Sequence, residues 1–380
     1  MPQPSGRNWL NTLFLWGTLV AAAVAVPWHL AVNGFVLKEW VAFLAMTFLC
    51  GTAISLGYHR LFSHRAFKAS LPVRLFGLLF GAANFENSVL QWGSDHRIHH
   101  RYCDDLDKDP YAIGRGFWWA HWGWVMKGES RPIQNVADLE KDPLVMWQHR
   151  HIFPIGAAVA LLPLLFARSW REAIGMAVVA VLLRIVVNHH TTFFINSMAH
   201  MIGSRPYNEA TSARDSWILA PLTYGEGYHN FHHTWQWDYR NGVKWWQWDS
   251  TKWILGALNG MGLVTDLRRV DPAALDRAEV ALEQVRLARR LCQTSPLQVR
   301  LQEAALRLDE ALATLQKRRE AWRRLKADLR AQGQAKAEQW QQARAEWKAA
   351  FAQHQSELAQ AWAEWKAARQ AALAAVPAAA

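Results

Sequence analysis

Two widely separated copies of the pattern His-x-x-His-His constrain the fold of this chain more than any other feature. The first copy runs from His96 to His100, and the second runs from His229 to His233. Side chains three and four positions apart lie on one face of a helix, so each copy projects three imidazoles in one direction. Imidazole suits iron, zinc and copper, and a metal site needs ligands that converge from distant segments.

Two shorter groups add to this set. His59 and His64 directly follow a long apolar segment, and His200 lies one turn after Asn196. Together the groups contain nine histidines, which exceed the needs of one metal ion, so the pattern predicts a centre of two metals. Isolated histidines near apolar segments are more often hydrogen-bonded core or interfacial residues. We assign that ordinary role to His29, His121, His149, His151 and His354.

The composition fits a membrane protein, although the mean hydropathy is close to zero. Of the 380 residues 51% are hydrophobic, and they crowd the first two thirds of the chain. The 23 tryptophans agree with this, because Trp favours the interface between bilayer and water. The net charge of +11 fits anionic lipid headgroups or an anionic substrate and does not require nucleic acid. Cys50, Cys103 and Cys292 are too scattered for a disulfide framework or a CxxC zinc site.

Four apolar segments predict four transmembrane helices in two hairpins. Their approximate bounds are 9–32, 35–58, 152–167 and 172–196. The fourth segment carries Arg184 and other polar side chains, which are unfavourable in lipid and should face the protein interior.

Four spans place both termini on one side of the membrane, together with all the histidine groups. The connecting segments on that side carry most of the Lys and Arg, so the positive-inside bias makes it cytoplasmic. Segment 71–90 is apolar but is interrupted by Gly77, Gly81 and Asn84, which favours a re-entrant or interfacial helix. We therefore predict a multi-pass membrane domain over residues 1–270.

The rest of the chain, residues 271–380, is rich in Ala, Gln, Arg and Glu. Leucines and alanines from Leu301 to Leu315 follow a 3-4 spacing, and aromatic residues from Trp340 to Trp365 lie near one face. This pattern predicts a helical extension, either a coiled coil or an amphipathic helix on the membrane surface. Its alternating charges are typical of a solvated face, and nothing in it looks catalytic.

Four motifs carry a family resemblance. They are His59-Arg-Leu-Phe-Ser-His64, His96-Arg-Ile-His-His100, Asn196-Ser-Met-Ala-His200 and Gly225-Glu-Gly-Tyr-His-Asn-Phe-His-His233. They resemble the histidine boxes of the membrane fatty-acyl desaturases of the stearoyl-CoA desaturase type. Asp238–Gly242 and Trp245–Asp249 also resemble the sequence after the last box, and the similarity runs from about Val36 to Leu263.

The resemblance implies an all-α integral membrane protein with four spans beneath a cytosolic helical cap that holds two iron ions. For a bacterial member of the family, the membrane would be the inner (cytoplasmic) one. Asn196 would bind a metal through water. The direct ligands, carried over by motif, would be His59, His64, His96, His99, His100, His200, His229, His232 and His233.

The resemblance also implies substrate contacts. In the family a bent tunnel holds the acyl chain at the metals, and Trp92 and Thr192 match positions at its kink. Asn87 matches a polar contact to the head end of the acyl carrier. Members that act on acyl-CoA often have a basic residue where Ser94 stands, so the carrier stays open between CoA, a lipid and a carrier protein.

The implied activity is an oxygen-dependent oxidation that introduces a cis double bond, of delta-9 type, into a saturated acyl chain. Removal of hydrogen from an unactivated methylene needs an oxidised metal species, which side chains acting as acids or bases cannot replace. Carboxylates in or beside the boxes should orient the imidazoles. The candidates are Asp95, Asp105 and Glu226, although an exposed cap or loop carboxylate is as good an interpretation of each.

The two electrons must come from outside. The sequence has no His-Pro-Gly-Gly haem segment, no cysteine spacing for an iron–sulfur cluster and no Gly-rich dinucleotide fingerprint. A separate donor of the ferredoxin or cytochrome type is therefore implied. Arg97, Arg101, Lys127 and Arg131 are candidates to dock an acidic donor.

Two alternatives stay open. A membrane fatty-acyl hydroxylase or alkane monooxygenase also has clustered histidines, but the full set of four boxes favours desaturation. A non-catalytic metal-binding scaffold, with the C-terminal extension as its working part, would not need the sequence Asp238–Gly242 or the tunnel positions.

Overall fold

The computed structural model describes residues 6–127, 132–291, 295–331 and 337–375. The chain forms two compact units, of which the first comprises residues 1–205 and 210–269 and the second 206–209 and 270–380. Cys292 and Arg131, both considered above, lie outside the described residues. Among the described residues regular structure is almost entirely helical, as predicted.

The first unit is built from α-helices of very different lengths. They are α1 (Trp9–Asn33), α2 (Leu37–Thr52), α3 (Leu71–Ala82), α4 (Val89–Tyr102), α5 (Ala137–Glu140), α6 (Pro143–Arg150), α7 (Ile152–Ala160), α8 (Trp170–Gly175), α9 (Arg184–Asn196), α10 (Leu219–Leu222), α11 (His229–Thr234) and α12 (Ser250–Gly260). The π-helical segments are Ala53–Ser63, Trp119–Gly123 and Met176–Leu183. The short 3-10 helices are Ile113–Arg115, Leu162–Phe166 and Met198–His200.

The two segments predicted to form the first hairpin correspond to α1 and α2. With its π-helical extension, α2 makes a helix of 27 residues from Leu37 to Ser63. This helix and α1 are long and apolar enough to cross a membrane. Near their connection, His29 Nε2 lies 2.7 Å from Glu39 Oε2, so two buried polar side chains satisfy each other. The second helix runs past the predicted end at residue 58, which places His59 on the helix rather than after it.

The second predicted hairpin is less regular than the sequence suggested. Instead of one straight span over 152–167, α6 and the helical stretch Ile152–Phe166 form a pair bent by 79°. This pair is a third candidate for a membrane span only if its two helices cross the membrane as one span. Segment 172–196 is helical throughout, from α8 through the π-helical segment to α9. It is not among the membrane-span candidates of the described residues. Segment 71–90 contains α3, whose 12 residues fall short of the roughly 20 that a span requires.

A glycine contact packs α3 against the π-helical end of the second span. A Cβ atom added at Gly57 would lie 2.7 Å from the Cα atom of Gly77, so the two backbones touch. We expect Gly57→Ala to destabilise the protein by about 1–3 kcal/mol, because backbone atoms must move apart to admit the methyl group. Gly17→Ala is the matched control, since Gly17 on α1 has nothing within 4 Å. Thermal unfolding of both variants in detergent tests this, and equal midpoints would contradict it.

A small sheet closes the first unit. Strand β1 (Lys68–Ala69) pairs antiparallel with β2 (Val264–Thr265), with Lys68 opposite Thr265. The amide of Ser70 also donates to the carbonyl of Leu263 at 2.9 Å. The sheet therefore fixes the segment that follows His64 against the end of the unit.

The second unit contains α13 (Pro272–Ala288), α14 (Pro296–Ala331) and α15 (Ala337–Ala375), which share one hydrophobic core. Its buried residues include the predicted seam from Leu301 to Leu315, and Trp365 of α15 is 2% exposed. The predicted aromatic face is partly realised: Trp322 stacks on Trp340 and on Trp347, with ring centroids 5.5 and 5.0 Å apart.

Candidate metal centre

The grouped histidines reach the centre from four stretches of the first unit. His59 lies on the π-helical end of the second span, and His64 follows that end directly. Helix α4 is capped by Ser88, whose hydroxyl accepts a hydrogen bond from the amide of Gln91, and it supplies three imidazoles from its second half. The 3-10 helix after α9 supplies His200, and α11 supplies the last three.

The nine histidines meet in two clusters. Within each cluster the potential ligand atoms all lie within 4.8 Å of one another. The first cluster consists of His59, His64, His96, His100 and His232. The second cluster consists of His99, His200, His229 and His233. Each His-x-x-His-His motif is divided between the two clusters.

The donor chemistry of both clusters fits metal ions. In the first cluster the Nε2 atoms of His64 and His96 lie 2.8 Å apart, and those of His59 and His232 lie 2.9 Å apart. Such a pair shares at most one proton, so several lone pairs in each cluster face one another in buried surroundings. A cation between them satisfies this arrangement, whereas an empty space leaves polar atoms without partners.

His200 shows how the protein selects the ligand atom. The Ser212 hydroxyl donates to an Asp104 oxygen at 2.5 Å, so it accepts from His200 Nδ1 at 2.7 Å. With the proton on Nδ1, Nε2 has a free lone pair. This Nε2 is buried and has no hydrogen-bond partner among the described residues.

Burial favours the neutral form, which is the form that binds metals, in seven of the nine histidines. Burial and the neighbouring His99 together lower the pKa of His200 to about 3. Burial followed by repulsion from neighbouring imidazoles also lowers the pKa of six others well below the ordinary value. They are His64, His96, His100, His229, His232 and His233.

Glu226, a predicted orienting carboxylate, lies against the first cluster. Its Oε2 atom is 3.0 Å from His59 Nδ1, and its Oε1 atom accepts from Arg60 Nη2 at 2.9 Å. Ser55 and Asn241 also donate to it. Burial favours the neutral carboxyl group, but Arg60 and His59 outweigh it and lower the pKa of Glu226.

Asp109 has the corresponding position at the second cluster, and the sequence reasoning missed it. It is fully buried, and its Oδ1 atom lies 2.9 Å from His99 Nδ1. Its other oxygen accepts from the amide of Asp104 at 2.9 Å. Burial opposes ionisation, yet His99 and the backbone amides of Asp104 and Tyr111 lower the pKa of Asp109. Asp109 is one of four aspartates between residues 104 and 109, and no sequence pattern singles it out.

The other two predicted carboxylates are placed differently. Asp105 accepts hydrogen bonds from the amides of Asp107 and Lys108, and its side chain is 37% exposed. It therefore stabilises its own loop, as an exposed loop carboxylate commonly does. Asp95 is buried on α4, where it accepts from Gln91 Nε2 at 3.3 Å.

Of the predicted substrate residues, Trp92 lies against the first cluster. Trp92 stacks on His96, with ring centroids 4.7 Å apart, and Thr192 is buried on α9. Asn87 is exposed, and its carbonyl accepts from the Tyr58 hydroxyl at 3.3 Å. Asn196 ends α9, directly before the 3-10 helix that carries His200.

Arg97 is unsuited to the docking role considered above. Its guanidinium donates to both oxygens of Asp138, at 2.6 and 2.9 Å, and to the carbonyls of Phe62 and Ser63. It therefore fixes the end of the second span to α4 and α5. Arg101 and Lys127 are exposed.

Comparison with known proteins agrees with this geometry. The family model described as fatty acid desaturase matches residues 38–265, which include all nine histidines. The chain belongs to the fatty acid desaturase family. It is 38% identical over 288 residues to acyl-CoA desaturase 1 of Saccharomyces cerevisiae, covering 74% of this chain and 55% of the relative.

Two other relatives differ in the carrier that their names give. A probable acyl-CoA desaturase of Schizosaccharomyces pombe is 41% identical over 265 residues, covering 68% of this chain and 54% of the relative. An sn-1 stearoyl-lipid 9-desaturase of Anabaena variabilis is 33% identical over 271 residues, covering 70% of this chain and 95% of the relative. The chain thus spans about half the length of the two yeast proteins.

Proposed function

We propose that this protein is a fatty-acyl desaturase that introduces a cis double bond, of delta-9 type, into a saturated acyl chain with O2 and two external electrons. The observation that carries the proposal is the meeting of nine imidazoles, from four stretches of a desaturase-family chain, in two adjoining clusters.

Two iron ions are the proposed cofactors. The first cluster would hold one ion and the second cluster the other, with Asn196 as a water-mediated partner of the second. Bound iron would supply the oxidising power that removal of hydrogen from a methylene needs. Glu226 on His59 and Asp109 on His99 would orient the ligand nitrogens for it.

Trp92 and Thr192 would shape the site for the acyl chain. Trp92 stacks on a histidine of the first cluster, so an acyl carbon held against its indole ring would lie beside the metals. Asn87 would contact the head end of the substrate. The names of the relatives include both acyl-CoA and stearoyl-lipid substrates, and this agrees with leaving the carrier open between CoA, a lipid and a carrier protein.

The proposed setting is a lipid bilayer, crossed four times, with both termini and the histidine clusters on the cytoplasmic side. For a bacterial protein this is the inner membrane. The exposed large apolar side chains of α1, among them Leu10, Leu13 and Val24, support contact with lipid. A separate ferredoxin or cytochrome would deliver the electrons.

Expression in a host that lacks unsaturated lipids, followed by mass spectrometry of its fatty acids, tests the activity. We expect a new monounsaturated product that disappears in His96→Ala and His232→Ala, with at least one metal ion lost per protein. His151→Ala is the matched control, because that ring is exposed and its described contacts are with Trp147, whose carbonyl and indole ring it meets. A hydroxylated product would favour a hydroxylase instead. A metal-loaded protein with neither product would favour a scaffold.

A further inference from the structure

The second unit has no role in the function proposed so far. Most of it, residues 270–380, lies beyond the residues 38–265 that the family model matches. The chain nevertheless enters this unit once before the last histidine motif, because residues 206–209 belong to the second unit. These four residues follow His200 and precede His229. A loop between two ligand-bearing segments therefore contributes its tip to the second unit.

The base of this loop is closed by backbone hydrogen bonds. The amide of Ser204 donates to the carbonyl of Asp215 at 2.9 Å, and the amide of Asp215 donates to the carbonyl of Ser204 at 2.7 Å. This reciprocal exchange is the pattern of an antiparallel pair of strands. We call residues 204–215 the hairpin loop.

The returning side of the hairpin loop holds the segments that carry ligands of the second cluster. The amide of Arg214 donates to the carbonyl of Ala199, in the 3-10 helix, at 2.8 Å. The carbonyl of Arg214 accepts from the amide of His229 at 3.2 Å, and Asp215 Oδ1 accepts from the amide of Phe231 at 3.0 Å. The loop therefore fixes the 3-10 helix and α11, which supply three of the four histidines of that cluster.

The side chain of Ser212 extends this support to the fourth histidine. Its hydroxyl accepts from His200 Nδ1 at 2.7 Å, and both its hydroxyl and its amide donate to Asp104. The amide of Asp104 in turn donates to Asp109, whose other oxygen lies against His99. The orientation of all four ligands of the second cluster thus depends on where the hairpin loop lies.

The tip of the hairpin loop is held by α13 through Glu209. Its Oε1 atom accepts from Arg286 Nε at 2.7 Å, and its Oε2 atom accepts from Arg289 Nη1 at 3.1 Å. The two arginines are three positions apart at the end of α13, so they lie on the same side of the helix. The hydrogen bond from Arg286 lowers the pKa of Glu209, which is therefore ionised at neutral pH. Only three residues separate Glu209 from Ser212, a reach of at most about 11 Å.

We propose that the C-terminal extension positions the second cluster: α13 binds Glu209 at the tip of the hairpin loop, and the loop transmits this constraint to His200 and the other ligands. Glu209 is thus a positioning residue. The inference rests on the metal centre of the proposed function, but the hold on the loop is a property of the metal-free protein as well. Because such coupling is reciprocal, a metal ion bound in the second cluster should also stabilise the hold on the tip.

The test uses full-length protein and reverses the charges of this contact. Glu209→Arg places three positive charges together, and Arg286→Glu combined with Arg289→Glu removes both partners of Glu209. The variant with all three changes restores opposite charges. Glu364→Arg is the matched control, because it also removes an ion pair of the second unit, the one that joins Arg307 of α14 to α15 at 3.0 Å.

Hydrogen exchange of the metal-free protein, detected by mass spectrometry, measures the hold on the loop. We expect the amides of residues 201–215 to exchange roughly two- to tenfold faster in Glu209→Arg and in the variant with both arginines reversed, because two ion pairs are lost. The variant with all three changes and Glu364→Arg should exchange at the wild-type rate. This measurement requires neither metal nor activity.

Competition with a chelator for ferrous iron measures whether the hold serves the metal centre. We expect the iron affinity of Glu209→Arg to fall roughly two- to tenfold and to recover when all three charges are reversed. Unchanged exchange in Glu209→Arg, a failure of the triple change to restore it, an equal effect of Glu364→Arg, or unchanged iron affinity despite faster exchange would each overturn the proposal and leave the desaturase function standing. A wild-type protein that binds no iron would overturn the proposed function and this inference with it.

Discussion

Replacement of Asp109 by asparagine is expected to lower the metal affinity of the second cluster roughly 10- to 100-fold, with a parallel loss of turnover. The buried carboxylate holds the proton of His99 on Nδ1, which leaves Nε2 free for the metal. An amide at this position is uncharged, so it weakens that hydrogen bond and the basicity of the ring. Competition with a chelator, followed by determination of bound metal, measures the effect.

Asp105→Asn is the matched control for this prediction. Asp105 belongs to the same acidic segment, but it accepts from loop amides and is 37% exposed. Its replacement should leave metal affinity unchanged within about twofold. Equal losses in the two variants would show that the acidic segment acts through its overall charge rather than through the contact with His99.

Replacement of Glu226 by leucine is expected to cost about 3 kcal/mol of stability and to abolish activity. Arg60 is 1% exposed and pairs with Glu226 and Asp249, so removal of one carboxylate leaves its charge only partly compensated. His59 loses its orienting partner at the same time. Chemical unfolding and metal content, measured in detergent, test both effects.

Glu226→Gln separates charge from shape. It keeps the size of the side chain but removes the ion pair, so it should lose metal affinity while unfolding less readily than Glu226→Leu. Because Arg60 and His59 lower the pKa of Glu226, its stabilising charge is complete above about pH 4.3 and is lost only as the pH falls through the lower folded-state value. The stability of Glu226→Gln should therefore fall less at low pH than that of the wild type. An unchanged acid transition would contradict this assignment.

The histidine clusters were the most predictable part of the structure, because helical spacing alone places three imidazoles on one face. The spacing from His96 to His100 could not show, however, that His99 belongs to a different cluster from its two neighbours. That division depends on where α11 and His200 meet α4, which is tertiary information. The same reason explains why Asp105 was chosen and Asp109 was not: only the folded loop shows which carboxylate reaches a ring.

The apolar segments predicted the first two long helices well and the third and fourth less well. Length and hydropathy are sufficient for α1 and for the helix from Leu37 to Ser63. They were insufficient for the third segment, because hydropathy does not record the bend of 79° between α6 and the helical stretch that follows it.

The division of α4 between both clusters has a consequence for how the centre is assembled. Adjacent residues on one turn of a rigid helix, His99 and His100, belong to different clusters, so the separation of the clusters at α4 follows from helix geometry rather than from loop conformation. Helix α11 repeats this division, with His232 in the first cluster and His229 and His233 in the second. An ion bound in either cluster would therefore align ligands of the other, and we expect the two proposed metal ions to bind cooperatively.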